Sequence, residues 1–499
     1  MKKNIGIIGA GIGGLTAACL LAKDGHDVTV WEKNETPGGK MNIVRAESFR
    51  FDTGPSLITM PFVIDRLFEY CDAKRGDYLE LVPVDPVCRY FWKDGARFDC
   101  FSDLPKVLDQ LDEIAPDDEE AWVQFLGYAA GLYEKTAGTF LFNPLEKWSD
   151  LGSLKKSDVF RIDSFTTVSK RIDKTFKSPY LRQLFKRFTT YNGSSPYQAP
   201  ATLNVIAYVE LCQGGFYIRG GIYKLAEALI DLGKSLGVNY VFGKDAEITA
   251  IKPHPEKTRF VSEVEFSNLK TSHVDILFSN ADATETNTKL LPDSIVPYRK
   301  KERIRKTEPS CSGFVLMLGC SKQYPELKHH NVFFSEDYES EFADIFDKKV
   351  MPEDPTIYIA NTSYTDADHA PENGSNLFIL VNAPYLSDAE VWTGDRAKEY
   401  GDKIISELEK RGLSGLSDSI KFREHITPAH FYDLYRSNRG SIYGTSSNNK
   451  FAAFLRPRNK SEFADNLYLT GGSTHPGGGV PLAMLSAMHA HTIFKRDQK

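Results

Sequence analysis

The chain has 499 residues, which is more than a single hydrophobic core supports, so we expect two or three lobes. Its composition, 41% hydrophobic and 26% charged, is that of an ordinary soluble protein, and a formal net charge of −6 gives no indication of nucleic-acid binding. Seven scattered cysteines form no C-x-x-C pair and no metal-ligand spacing, which favours buried thiols in a reducing compartment and predicts no metal site.

A glycine-rich loop follows the first predicted strand. Residues 4–8 are a short apolar run that suits a strand buried on both faces. Gly9, Gly11 and Gly14 follow in G-x-G-x-x-G spacing, and residues 15–23 then predict a helix. Such glycines allow a tight turn, leave room for a pyrophosphate and let the helix pack close to the strand. The helix N-terminus offers free N–H groups to the anion.

A second predicted strand ends in an acid. Residues 28–31 form this strand, and Glu32 closes it eighteen residues beyond Gly14, where the fold binds a ribose diol. Together these parts predict a dinucleotide-binding site. The doublet Gly38-Gly39, followed by Lys40, has no evident role in a simple NAD fold. A longer cofactor such as FAD would need close backbone approach there, so the pattern favours FAD.

The next segments combine a turn with a long helix. Residues 51–56, FDTGPS, predict a strand end and a turn that Asp52 could cap. A helix begins near Pro116, where acidic residues complement the helix dipole. Its aromatic and aliphatic side chains are typical of a core, but they could also line a pocket for a long apolar ligand. They are Trp122, Phe125, Leu126, Tyr128, Leu132 and Tyr133.

Residues 155–187 form a basic segment with apolar residues between the charges. This pattern is typical of a membrane-surface patch or of a solvated helix face. Its ten basic residues are Lys155, Lys156, Arg161, Lys170, Arg171, Lys174, Lys177, Arg182, Lys186 and Arg187.

The remainder of the chain predicts the rest of the nucleotide lobe and a second sheet. A helix is predicted at 222–236, and the strand at 274–279 leads into Asn280. The other runs that predict strands are 238–242, 246–251, 314–318, 356–360 and 377–381. At the C-terminus, residues 466–472 predict a strand ending in Gly471 and Gly472, and a helix follows from Leu482. A strand-to-helix junction so rich in glycine allows close approach by a planar ligand or an anion.

These motifs resemble those of the bacterial-type carotenoid desaturases, the phytoene desaturase family within the amine-oxidase-like flavoproteins. The resemblance extends over nearly the whole chain, and its last motif is the most specific. The matching residues are GAGIGGLTAACLLAKDGHDVTVWEKNETPGGK at 9–40, FDTGPS at 51–56, FYIRGGIYKLAEAL at 216–229, SNAD at 279–282 and YLTGGSTHPGGGVP at 468–481.

The resemblance implies an α/β fold with a Rossmann-like FAD-binding domain of the amine oxidase and glutathione reductase type. It also implies a discontinuous mixed-sheet substrate domain and a helical membrane-facing region. We predict the FAD-binding domain at residues 1–100, 205–285 and 430–499. The helical region for membrane contact and substrate entry is predicted at 101–204, and the substrate domain at 286–429.

The resemblance further implies a non-covalently bound FAD and an elongated hydrophobic tunnel. Gly9, Gly11 and Gly14 would hold the pyrophosphate, and Glu32, with Lys33 beside it, the adenosine ribose. The strand at residues 247–248 would meet the adenine through its backbone, and the C-terminal glycines would lie beside the flavin. The other predicted cofactor-binding residues are Gly38, Gly39, Lys40, Gly54, Pro55, Ser56, Ile248, Asn280, Gly471, Gly472, Gly479 and Val480.

Members of this family remove hydrogen from C–C single bonds of long apolar polyenes. The cofactor takes the hydride and the protein supplies orientation and dry surroundings, so no nucleophilic triad is expected. His475 is the titratable group expected nearest the flavin, either as a general base or in a structural role. The electron acceptor, quinone or oxygen, stays open.

The substrate also bears on location. No stretch reaches the ~18 uninterrupted apolar residues that would span a bilayer, and no signal peptide is expected because the first strand begins at residue 4. A carotenoid resides in the membrane, so we expect a cytoplasmic protein that contacts the cytoplasmic membrane peripherally through part of 122–188.

The runs at 329–338 and 354–386 look most like the branch that performs 3,4-desaturation of 1-hydroxycarotenoids. Phytoene or dehydrosqualene desaturation is the alternative, because those enzymes share the framework and differ around 382–385. A non-catalytic prenyl-lipid escort of related fold is a second alternative, and an amine oxidase would need an aromatic cage of which the sequence gives no clear sign. A hydroxylated end group would need a polar partner in an apolar tunnel, which the sequence does not identify.

Overall fold

The computed structural model describes residues 1–54, 56–146, 162–448 and 456–499. Within these ranges the strands are β1 (Asn4–Ile8), β2 (Asp27–Glu32), β3 (Ile43–Ala46), β4 (Phe49–Asp52), β5 (Leu81–Pro83), β6 (Cys88–Phe91), β7 (Arg97–Cys100), β8 (Phe216–Ile218), β9 (Asn239–Phe242), β10 (Ile248–Pro253), β11 (Val261–Phe266), β12 (Thr271–His273), β13 (Ile276–Ser279), β14 (Ser312–Cys320), β15 (His330–Phe333), β16 (Ile357–Asn361), β17 (Ser375–Ala383), β18 (Ile420–Ile426) and β19 (Leu467–Leu469). The α-helices of the same ranges are Ile12–Lys23, Phe62–Tyr70, Leu104–Ile114, Glu119–Phe140, Val168–Thr175, Pro179–Arg187, Val205–Leu211, Tyr223–Ser235, Ala283–Glu285, Tyr298–Arg305, Tyr338–Ala343, Gly394–Lys410, Leu416–Ser419, Pro428–Tyr435 and Val480–Asp497.

The first sheet is parallel and has the strand order β19-β13-β1-β2-β9. Its central strand is buried on both faces: Ile5 and Ile7 pack against helices on one side, and Ile8 packs on the other side in the cluster that contains Val261 and Val264 of β11. The sheet joins segments from both ends of the chain, because β19 pairs with β13 and β13 with β1. The carboxyl ends of these strands therefore gather loops from distant parts of the sequence at one edge.

The second sheet is mixed, with the order β18-β14-β17-β16-β15-β6-β7. Its outer face packs on the helix Gly394–Lys410 through residues such as Leu316 and Ile379. Its inner face carries the alternate residues. At β6 and β15 this face packs against the helical region between residues 104 and 211, whereas in the central strands Val315, Met317 and Phe378 pack against Phe49 and Phe51 of β4.

Two strands lie outside the lobe that the sequence predicts for them. The predicted boundary assigned residues 1–100 to the FAD-binding domain, but β6 and β7 hydrogen-bond into the second sheet. The connection is the parallel pairing of Asn331–Phe333 in β15 with Arg89–Phe91 in β6. Nothing in the sequence of residues 88–100 specifies a partner more than 200 residues away, so the sheet to which such short strands belong cannot be predicted from their own sequence.

Most predicted elements are confirmed with small changes at their ends. The strand predicted at 4–8 agrees to the residue with β1. The first helix begins at Ile12 rather than at Leu15, because its first turn includes two of the loop glycines. The last helix begins at Val480 rather than at Leu482.

The long helix Glu119–Phe140 contributes to an aromatic core. Trp122 and Phe125 are buried and pack against Phe185, with ring centroids 4.9 and 4.5 Å away. The structure therefore favours the core interpretation for these two side chains. Asp118, before the helix, is buried and accepts backbone N–H groups of Lys177 and Ser178, so it also holds the helical region together.

The basic segment divides into paired and exposed charges. Arg171 pairs with Asp163 at 2.6 Å, and the buried Arg187 pairs with Glu210 at 3.0 Å. Lys170, Lys174 and Lys177 are exposed. The predicted residues Lys155, Lys156 and Arg161 lie outside the described part of the chain. Among the described residues, no helix is both long enough and apolar enough to cross a membrane.

Candidate cofactor site

A cavity of about 470 Å³ opens at the carboxyl edge of the parallel sheet. Its walls come from the loops after β1, β2, β13 and β19 and from residues 432–444. Thirteen predicted cofactor-binding residues line it: Gly9, Gly11, Glu32, Lys33, Gly38, Gly39, Lys40, Ile248, Asn280, Gly471, Gly472, Gly479 and Val480. The structure thus brings together residues that are up to 471 positions apart, as the parallel sheet predicts.

The first wall is the glycine loop at the start of the helix Ile12–Lys23. This helix has no side-chain cap, so the N–H groups of its first turn have no side-chain acceptor. A Cβ on Gly14 would overlap the carbonyl oxygen of Gly9. Gly14 lies away from the cavity and allows close packing of the helix on the turn, which is the role that the spacing predicts.

Asn280 contacts glycines of two loops from opposite ends of the chain. A Cβ on Gly11 would lie 2.7 Å from its Nδ2, and one on Gly13 only 2.6 Å from its Oδ1 and 2.8 Å from the Cα of Gly471. Gly471 itself has a positive φ of 95°, which favours glycine. The amide therefore lies wedged between the first and last loops, where a larger neighbour would displace it.

Glu32 is buried and fixes two turns of the backbone. Its Oε2 accepts the N–H of Ala10 at 2.9 Å, and its Oε1 accepts the backbone N–H of Asn34, also at 2.9 Å. Burial raises the pKa of the Glu32 carboxyl, although these hydrogen bonds oppose the shift. Oε1 also accepts the side-chain amide of Asn34 at 2.9 Å, so the lone pair left for a ribose hydroxyl is on Oε2.

The second glycine doublet docks directly on the first motif. Gly38 donates its N–H to the carbonyl of Ala10 at 2.8 Å, and a Cβ on Gly39 would lie 3.3 Å from the Cα of Gly11. Both glycines have positive φ, at 108° and 60°. The doublet is therefore required for backbone-to-backbone packing as well as for an open cavity.

Lys40 anchors the opposite wall. Its Nζ donates to the carbonyls of Ser441 and Ile442, at 3.0 and 2.7 Å. Burial lowers the pKa of the Lys40 ammonium to about 8. This contact ties the loop after β2 to a segment 400 residues further along the chain.

The FDTGPS motif supports this wall from behind. Gly54 lies against Lys40 and Met41, where a Cβ would approach the Lys40 carbonyl to 3.0 Å. Ser56 is buried and, like Gly54, does not line the cavity, while Pro55 lies outside the described residues. Asp52 accepts the N–H groups of Ile222 and Tyr223 at the start of another helix, rather than capping its own turn.

His475 lies away from the cavity lining. Its Nε2 is 3.1 Å from the carbonyl oxygen of Asn143, and its ring stacks on His489 with centroids 5.5 Å apart. Burial and the neighbouring His489 lower the pKa of His475 to about 4, so the ring is neutral at physiological pH. The catalytic role stays a prediction, and this geometry favours the structural alternative.

Several lining residues were not predicted. Gly13 occupies one of the unspecified x positions of the G-x-G-x-x-G motif, and its contact with Gly471 depends on the tertiary fold. Tyr435, Arg436 and Tyr443 come from a segment without a recognisable motif. Arg436, which pairs with Glu247 at 3.2 Å, could have been suspected only from its position beside the C-terminal lobe.

These features fit a dinucleotide with a planar end group. The cavity offers an uncapped helix N-terminus, glycines whose Cβ atoms would fill it, and a buried carboxylate beside the first strand. At the other end, the helix Val480–Asp497 also begins without a side-chain cap, and Gly478 lies against Tyr443. The residues present therefore fit FAD, with an anion cradle at one end and a flat glycine-lined wall at the other.

Comparisons with known proteins agree with this geometry. Residues 12–490 match the family described as flavin containing amine oxidoreductase. The chain is 35% identical over 504 residues to 4,4'-diaponeurosporene oxygenase of Staphylococcus aureus (strain MSSA476), covering 100% of this chain and 99% of that protein.

Solved structures share the fold at low sequence identity. Cyclohexylamine oxidase from Brevibacterium oxydans IH-35A has a TM-score of 0.63 and 15% identity, with 100% of both chains covered. An oxidoreductase from Methanosarcina mazei has a TM-score of 0.63 and 14% identity, covering 99% of this chain and 100% of that one. The family, fold class and cofactor predicted from the sequence are thus confirmed. The chain belongs to the flavin containing amine oxidoreductase family and is an FAD-dependent oxidoreductase.

Proposed function

We propose that this enzyme oxidises a carotenoid, and that the thirteen predicted lining residues named above bind its FAD. The observation that carries the proposal is an apolar sheet face that adjoins the cofactor cavity. The full-length similarity to an enzyme named for a carotenoid supports it. An FAD-dependent oxidoreductase is not a non-catalytic escort, so that alternative is set aside.

The inner face of the second sheet has the composition of a channel floor. Its residues in the central strands are mostly apolar, among them Val315, Met317, Phe378 and Leu380. On the outer face of β17, Ile379 and Val381 are buried by a helix, whereas Leu380 on the inner face is half-exposed. A half-exposed aliphatic side chain in the middle of a covered sheet indicates open space above it.

This face touches the cofactor cavity directly. A Cβ on Gly313 would lie 3.0 Å from the Cδ1 atoms of both Ile442 and Leu380. Ile442 lines the cavity and donates its N–H to the carbonyl of Cys311 at 3.1 Å. A long apolar substrate lying on the inner face would therefore reach the cavity past Gly313.

The chain's own contribution to the reaction is positioning and exclusion of water. When bound, FAD accepts a hydride from a C–H bond. Apolar side chains of the inner face orient the polyene and keep the reacting carbon dry, which such chemistry requires. Lys40 and Asn280 fix the loops that frame the cavity, so the reacting groups meet without further rearrangement.

The reaction at the polyene has two candidate forms. The resemblance at 329–338 and 354–386 favours 3,4-desaturation of a 1-hydroxycarotenoid. The similarity to an enzyme named as an oxygenase favours introduction of oxygen. The relatives found do not favour phytoene or dehydrosqualene desaturation.

We also propose peripheral contact with the membrane that holds the substrate. The exposed Lys170, Lys174 and Lys177 belong to the helical region that covers the inner face. Phe165, 63% exposed, lies just before the first of these lysines. Exposed lysines near an aromatic side chain are typical of a membrane-surface patch.

The experiment is turnover by the FAD-loaded protein in liposomes containing a 1-hydroxycarotenoid or its unhydroxylated parent. Anaerobic bleaching of the flavin absorbance upon mixing, with a mass change in the polyene, supports carotenoid oxidation. Loss of two hydrogens with a red-shifted spectrum identifies desaturation, and gain of oxygen in air identifies oxygenation. Conversion of phytoene or dehydrosqualene alone would exclude 3,4-desaturation, and no flavin bleaching by any polyene would refute the proposed substrate class.

A further inference from the structure

The floor of the proposed channel carries an amide beside the cofactor cavity. Asn382 lies on β17, two residues beyond Leu380, so both side chains belong to the inner face. It is half-exposed, whereas Val381 and Ala383 on either side of it are buried. The side chain is therefore accessible from the channel.

The position of Asn382 relative to the cofactor follows from strand pairing. Its partner across the ladder is Gly313, which has no side chain. The Gly313 Cβ position adjoins Ile442, a residue of the cavity wall. The absence of a side chain at Gly313 lets Ile442 and Leu380 pack closely over it, so the amide lies one strand position away from the cavity wall.

The amide also has unused hydrogen-bonding capacity. The Cys311 thiol donates weakly to its Oδ1, with a distance of 3.9 Å, and this contact orients the group. Among the described residues, no acceptor hydrogen-bonds to Nδ2, which leaves both of its N–H groups for a ligand. An apolar channel gains nothing from such a donor unless the ligand carries an acceptor.

We infer that Asn382 binds the oxygen atom of an oxygen-bearing end group of the polyene, a hydroxyl or a carbonyl, next to the reacting carbon. This inference rests on the proposed carotenoid substrate and names the part of it that the enzyme recognises. Donation from Nδ2 would hold the polar end at the cavity and leave the hydrocarbon chain along Leu380 and Tyr358, which is half-exposed on the neighbouring strand. A hydrocarbon end at the same place would leave the amide without a partner.

The test compares the dissociation constants of a 1-hydroxycarotenoid and its unhydroxylated parent, measured by fluorescence quenching of the FAD-loaded protein in detergent micelles. We expect the wild-type enzyme to bind the hydroxylated compound about tenfold more tightly. Asn382→Leu should abolish this preference without weakening the binding of the unhydroxylated compound. Asn382→Ala, which removes the amide without adding bulk or charge, should also abolish it and covers the case in which the leucine variant does not fold.

Leu380→Ala provides the matched control on the same face. It removes apolar contact, so it should weaken binding of both compounds by similar factors and leave their ratio unchanged. A wild-type-like preference in both Asn382 variants would overturn the inference, and so would a wild-type enzyme without preference. Failure of the wild-type protein to bind either compound would overturn the proposed function as well, whereas binding without discrimination would overturn the inference alone.

Discussion

The cofactor cavity and the inner face of the second sheet are lined by different parts of the chain, the first by backbone and the second by side chains. The cavity is framed by backbone, because Gly11, Gly13 and Gly39 bring loops close together where any side chain would intrude. The inner face is lined by side chains, and individual polar groups such as the amide of Asn382 determine which substrate it binds. The first region is therefore specified by spacing along the chain, and the second by the chemistry of individual positions.

This difference predicts how each region responds to substitution. A methyl group added at Gly13 or Gly39 would meet the backbone of another loop, at Gly471 or at Gly11. A change on the inner face meets flexible side chains or open space, so it should alter selectivity more than stability.

The largest expected effect is that of Gly14→Ala. The added methyl group overlaps the carbonyl oxygen of Gly9, which cannot move without opening the turn. We expect a loss of about 3 kcal/mol in the free energy of unfolding, together with loss of bound flavin. Denaturant unfolding and the flavin absorbance of the purified protein measure both.

Gly127→Ala is the matched control, because no atom lies within 4 Å of the added Cβ and the residue is exposed in a helix. It should stabilise the protein by up to about 1 kcal/mol. Equal behaviour of the two variants would contradict the close backbone packing of Gly14 on Gly9 that frames the turn.

An effect of comparable size is expected from acid on each ring of the pair His475 and His489. Both rings are buried, and burial lowers the pKa of each to about 4, below the unfolded value of about 6.5. The unfolded chain thus binds more protons between these values. Stability present above pH 6.5 should therefore be lost as the pH falls toward 4, by an amount on the order of 3 kcal/mol for each ring.

His475→Gln separates this structural role from catalysis. Glutamine can still donate to the Asn143 carbonyl but does not titrate, so unfolding by urea at several pH values should show a flatter acid dependence. Flavin reduction by substrate should slow less than about tenfold, whereas loss of a general base would slow it ~10²–10⁴-fold. A decrease of that size in the rate of flavin reduction would instead support His475 as the general base.

The smallest effect concerns the surface of the helical region. Reversing Lys170, Lys174 and Lys177 to Glu should weaken binding to anionic liposomes by about 1 kcal/mol per lysine, because each loses its attraction to the lipid headgroups. Sedimentation with liposomes measures this change.

Two controls sharpen this test. Reversal of Lys398, Lys410 and Lys421, which are exposed elsewhere, changes the net charge equally and should leave sedimentation unaffected. Arg171, which the sequence alone groups with the three lysines, is held by Asp163 and should matter less. Equal sedimentation of all variants would remove the membrane contact from the proposal.

The sequence predicts the cavity far better than the channel. G-x-G-x-x-G spacing and the closing acid identify Gly9, Gly11 and Glu32 because the physical requirement, a turn followed by an anion and a ribose, is local. The same reasoning does not identify Gly13, whose constraint comes from Gly471 at the other end of the chain. Local constraints can be read from spacing, whereas constraints between distant segments become visible only in the fold.

The substrate lobe shows the same limit more strongly. Its central strands are predicted from apolar runs, but the alternation that assigns Leu380 and Asn382 to the inner face has meaning only once the outer face is known to be covered. The membership of β6 and β7 in this sheet depends on one parallel contact with β15. No pattern within residues 88–100 encodes that choice.

The wedge formed by Asn280 has a consequence for the protein in the cell. Because the amide touches glycines from both ends of the chain, the cavity exists only in molecules in which synthesis is complete and the two ends have met. A ligand that binds this assembled state and not the unfolded chain shifts the equilibrium toward it by mass action. Bound flavin should therefore act as a clasp between the two ends of the chain, and the flavin-loaded protein should resist unfolding and proteolysis better than the flavin-free protein.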